Sequence, residues 1–61
     1  DLMMLMYRAD VAINKGTKAD LEVALGYLFE AAALDLDKGQ VDLLENKIKS
    51  INDLLAALEV K

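Results

Sequence analysis

The chain has 61 residues, 56% of them apolar, with seven Lys and Arg against eleven Asp and Glu for a net charge of −4. That length makes one domain, residues 1–61, in which folding buries only roughly 60% of the unfolded surface. The acidic balance provides no basic stripe for phosphates, which argues against nucleic acid or anionic lipid as a partner, and the absence of Cys and His removes disulfides and the common zinc sites.

Small folds without such staples rely on regular helix packing or on association. The apolar fraction exceeds the ~45–50% usual for soluble domains, and a short chain has little interior in which to hide the excess. The composition therefore points to an assembly or a partner-binding surface. There is no Pro and there are only three Gly. Helix formers dominate, so the expected fold is all-α, a compact antiparallel three-helix bundle with helices at about 2–14, 18–35 and 40–59. The longest apolar run, Leu2 to Tyr7, is far short of the ~20 residues of a membrane span and lacks the flanks of a signal peptide. The chain starts at Asp1 and not at Met, and reads as a trimmed chain or a piece of something longer. The lack of Cys fits the cytoplasm.

The first helix is expected from Leu2 to about Asn14. At ~100° per residue, Leu2, Leu5, Met6, Ala9, Ala12 and Ile13 fall on one side. Met3, Met4, Tyr7 and Val11 fall on the other, broken only by Arg8, Asp10 and Asn14. A helix apolar on both sides is either deep in a fold or covered by something else. The second face either packs within the chain or contacts a second copy or another protein. Met suits adaptable surfaces as well as irregular cores, so it does not separate the two. Met3, Met4, Tyr7 and Val11 are the expected partner-binding residues.

Gly16 can take a positive φ and end this helix. Thr17 is a good N-cap, with Asp20 three residues on as a weaker form of the capping box. In the second helix Leu21, Leu25, Leu28, Phe29 and Ala32 line one side, and Val23, Tyr27, Ala31 and Leu34 line another. A middle helix touching both neighbours has such a wide apolar arc. Gly26 sits inside the helix and would permit a close crossing. Asp35 to Gln40 form the second connection, with Gly39 expected as the break.

The third helix is the most cleanly two-faced. Val41, Leu44, Ile48, Ile51, Leu55 and Leu58 recur in alternating steps of three and four, which makes one apolar stripe. Asp42, Glu45, Asn46, Lys49, Asn52 and Asp53 lie opposite. The stripe could be an interchain coiled-coil seam, but it is short and is widened by Leu43 and Leu54, so packing within the bundle is the expectation. Glu45 and Lys49 have the favourable i,i+4 order for a surface ion pair.

Candidate chemistry is sparse. The run from Asp35 to Gly39 suggests a calcium loop, yet position 5 would be Gly39, position 6 Gln40 and position 12 Asn46, and all three break the EF-hand pattern. The carboxylate pairs Asp42/Glu45 and Glu22/Glu30 lie on polar faces with no His or Cys nearby. Ser50 is the sole Ser, and no His exists to activate it. No phosphate-binding Gly pattern is present. The expectation is no catalytic residue, no cofactor, no metal and no small-molecule substrate.

The segment Lys47-Ile48-Lys49 leading into Leu54-Leu55-Ala56-Ala57-Leu58 resembles the microtubule-interacting-and-transport domain, which implies a groove for a partner helix. Leu25-Gly26-Tyr27 followed by Ala31 and Ala32 is similar to a tetratricopeptide helix, although no second repeat is present. Three functional readings follow. The leading one is a non-catalytic protein-interaction module or small acidic regulator that self-associates. The others are a structural or designed bundle without a partner, and a small helical subunit or fragment of a larger assembly.

Overall fold

A computed structural model describes residues 2–59. It contains α1 (Leu2–Lys15), α2 (Lys18–Ala32) and α3 (Lys38–Glu59), with no strand among the described residues. The fold is an all-α three-helix bundle. Its extents are 38 × 17 × 15 Å.

Two local signals set the first turn. Gly16 takes φ +76°, which a Cβ would penalise, and so reverses the chain directly after Lys15. Thr17 then caps α2 from an extended conformation. Its hydroxyl accepts the Asp20 N–H at 3.1 Å and donates to Asp20 Oδ2 at 2.6 Å. A turn this short forces α1 and α2 antiparallel.

The second turn differs from the sequence expectation. α2 stops at Ala32 and not near residue 35. Its last turn tightens, with the N–H of Ala33 bonding Glu30 O and that of Leu34 bonding Ala31 O, and these i→i−3 bonds satisfy terminal carbonyls without a left-handed residue. α3 begins at Lys38, so Gly39 lies in its first turn and is not the break. The start is set by Asp37. Asp37 Oδ1 accepts the Gln40 N–H at 2.8 Å, and Gln40 Oε1 accepts the Asp37 N–H at 3.0 Å, a complete capping box. Leu36 and Val41, the residues before the cap and four beyond it, line the same surface depression, as a hydrophobic staple does.

α2 lies in the middle and makes the two extensive interfaces, the larger with α1. The core is Met6, Ala9 and Ala12 from α1, Leu21, Ala24, Leu28 and Ala31 from α2, and Leu44 and Ile51 from α3. Four of the seven buried positions in the α1–α2 hairpin are Ala, and small side chains let helix axes approach closely. Among the described residues only Leu21, Leu28 and Ile51 are large and fully buried. Leu2, Leu5, Ile13, Leu25, Tyr27, Leu36, Ile48 and Leu55 pack around this centre.

Charged contacts tie the elements at their edges. Lys47 Nζ meets Asp10 Oδ1 at 2.8 Å and joins α3 to α1. Lys18 meets Glu59 at 3.6 Å and brings the start of α2 beside the end of α3. The expected Glu45–Lys49 pair does not form. The i,i+4 pair in α3 is instead Lys38–Asp42 at 3.6 Å, in the less favourable order. Exposed pairs of this kind contribute between nothing and about 1 kcal/mol, so side-chain entropy easily decides which ones close.

The apolar arcs of α2 and α3 are wider than their neighbours can cover. On α2, Ala24 is buried while Phe29, Val23 and Ala32 stay exposed, as does Leu34 just beyond its end. On α3 the stripe is buried only at its centre, since Val41 and Leu58 emerge at its ends and Leu43 and Leu54 flank it outside. Gly26 also has no crossing within the chain, because a Cβ built there would meet nothing within 4 Å. The bundle thus leaves it a plain helix-interior Gly, about 1 kcal/mol less favourable than Ala.

Candidate functional site

α1 splits as its periodicity predicts. Met6, Ala9 and Ala12 point inward, while Met3 is 77% exposed, Tyr7 69%, Met4 54% and Val11 41%. The spacing of three and four residues between these four places them along one outward strip. A contiguous strip of large exposed apolar side chains is a mark of contact surfaces.

The strip continues into a groove. Tyr7, Arg8, Val11 and Lys15 of α1 face Asp20, Val23 and Tyr27 of α2 across an open depression of about 390 Å³. Its lining mixes two aromatic rings and two branched apolar side chains with two cations. Ala12, buried in the hairpin, is also part of this lining. The groove exists because both Ala-rich inner faces draw the helices together, while the larger residues next to them stay outside.

Two smaller depressions lie elsewhere. One of about 330 Å³ is lined by Leu34, Leu36, Val41 and Ile48 where α2 hands over to α3. The other, of about 210 Å³, is lined by Ile13, Leu21, Leu54 and Leu58 at the opposite end. Neither was anticipated in the sequence, because each joins residues from separate segments, the first from the end of α2, the connection after it and α3 and the second from all three helices, whose relative placement the periodicity does not give.

The candidate chemical groups are dispersed. Asp42, Glu45, Glu22, Glu30 and Ser50 are exposed on helix surfaces. Asp37 spends its carboxylate on the α3 cap, so it is a structural acceptor in the run that suggested calcium. Among the described residues no three acidic side chains gather around a metal-sized site. No polar or charged residue is buried there, and no buried side-chain polar atom lacks a hydrogen bond. No described helix is long and apolar enough to cross a membrane. No family model matches the chain, and no curated protein or solved structure matches it either. A functional reading therefore rests on the surface just described.

Proposed function

We propose that this protein is a non-catalytic interaction module that acts through the outward face of α1, with Met3, Met4, Tyr7 and Val11 as its contact residues, and that it self-associates. The observation that carries this reading is their exposure beside a core in which, among the described residues, only three large side chains are fully buried. Fully covering a large apolar side chain contributes about 1.5–3 kcal/mol. Covering four partly exposed ones on each of two copies offers on the order of 10 kcal/mol, close to the ~4–15 kcal/mol cost of association. Contact through this face is accordingly weak and concentration-dependent. A cytoplasmic setting fits a chain free of Cys.

A second reading is a helical subunit of a larger assembly. It is favoured by Phe29 on α2 and Leu43 and Leu54 on α3, which are exposed away from the α1 strip.

The test is the double variant Met4→Lys with Tyr7→Glu, followed by circular dichroism and by light scattering on eluting fractions. The expected result is an unchanged helical spectrum with loss of the associated species. A variant that unfolds would mean that these side chains are core, and association at the wild-type level would move the contact to α2 or α3.

A further inference from the structure

The charges of the α1–α2 hairpin are sorted in an unusual way. Asp10 is taken by Lys47, Lys18 by Glu59, and Asp20 is bonded by the Thr17 hydroxyl. Four charges remain with neither an ion pair nor a side-chain hydrogen bond among the described residues. The two cations, Arg8 and Lys15, are both on α1, and the two anions, Glu22 and Glu30, are both on α2. Arg8 and Lys15 bracket Val11 and line the groove. Glu22 and Glu30 bracket Gly26 along one i,i+4 ridge of α2, where open space stands in place of a side chain. At 1.5 Å per residue the cations are spaced by roughly 10 Å along their helix and the anions by roughly 12 Å. The two rows therefore match in length, in sign and in relief. One has an apolar knob at its centre and the other has a gap.

Rows that complement each other on a single chain are what a two-fold dimer uses, since each copy supplies both halves. We propose that the occupant of the α1/α2 face is a second copy of this chain, docked about a two-fold axis. In it Arg8 and Lys15 lie against the partner's Glu22 and the partner's Glu30, and Val11 seats over the partner's Gly26. This rests on the self-association proposed above and specifies its pairing. It also accounts for a helix-interior Gly that the single chain does not use.

The experiment is charge exchange on the full chain. Arg8→Glu with Lys15→Glu makes both rows acidic, and Glu22→Lys with Glu30→Lys makes both rows basic. Each variant alone should keep its helical spectrum and associate at least tenfold more weakly than wild type in light scattering. Mixed one to one, they should form a heterodimer of wild-type mass, because both contacts become attractive again. Wild-type association should weaken as salt rises. Gly26→Leu provides a second arm. It removes the helix penalty and fills the gap, so thermal stability at low concentration should hold or rise while association falls at least tenfold. The pairing is overturned if each charge variant associates as tightly as wild type, or if the mixture fails to restore the complex. If Met4→Lys with Tyr7→Glu abolishes association while the charge variants do not, the α1 face stands and only this pairing falls. If wild type stays monomeric at millimolar concentration, both proposals fall.

Discussion

Leu28→Ala should lower stability by about 3–4 kcal/mol and leave the chain close to its unfolding midpoint at 25 °C. Leu28 is fully buried on the middle helix, and Leu21 and Ile51 are the other large side chains sealed with it. Truncating it loses the transfer energy of the removed atoms and adds the cost of a cavity. The Ala-rich hairpin around it has few long side chains able to relax into the space. A domain of this size holds only roughly 3–5 kcal/mol in total, so the loss is comparable with everything available. Urea titration followed by circular dichroism reads it directly, at low concentration so that association does not add stability by mass action. Leu43→Ala on the exposed side of α3 is the control, and its cost should stay within about 0.5 kcal/mol. Equal losses at the two positions would mean that the bundle core is not where Leu28 lies.

Asp37→Ala should cost about 1 kcal/mol and lower the melting temperature by about 4–8 °C. The Asp37 carboxylate is the acceptor for the Gln40 N–H and is lost in Ala, while the return bond runs from the residue-37 backbone N–H to Gln40 Oε1 and keeps its donor. The negative charge at the start of the longest helix is lost as well, and it is favourable there through the helix dipole. Asp37→Asn separates these effects, because Asn caps about as well without the charge. Asn should keep most of the stability, and Ala should not. Thermal melts of the three proteins make the comparison, and an unchanged melting temperature for Ala would mean that α3 does not depend on this cap.

Most of the bundle was legible from spacing and capping residues. Thr17 after Gly16 marked the first turn. Only the packing of the bundle put Met3, Met4, Tyr7 and Val11 outside, but the division of α1 into their face and that of Met6, Ala9 and Ala12 followed from periodicity. So did the centre of the α3 stripe, Leu44 and Ile51. The second turn was misplaced because Gly39 drew attention as a breaker, while Asp37 and Gln40, three residues apart, carried the capping box that restarts the helix earlier. Phe29, Leu43 and Leu54 lie on arcs wider than two neighbours can cover, and only the rotation of each helix decides which edge of an arc is left outside. The Asp10–Lys47 bridge spans 37 positions in sequence, a pairing that no local pattern encodes. The grooves are in the same class, since each is made by residues from separate elements that meet only in the folded chain.

The chain carries a built-in comparison for testing self-association through α1. Met3 and Met4 stand on the outer strip of α1, and Met6 is in the core of the same helix. Methyl resonances of the three methionines, followed by NMR across a dilution series from millimolar to micromolar protein, report the two environments in one sample. The Met4 methyl, and with it Met3, should shift with concentration as copies meet and separate, while the Met6 methyl stays in place. Three resonances that remain fixed over the whole range would contradict self-association through this face.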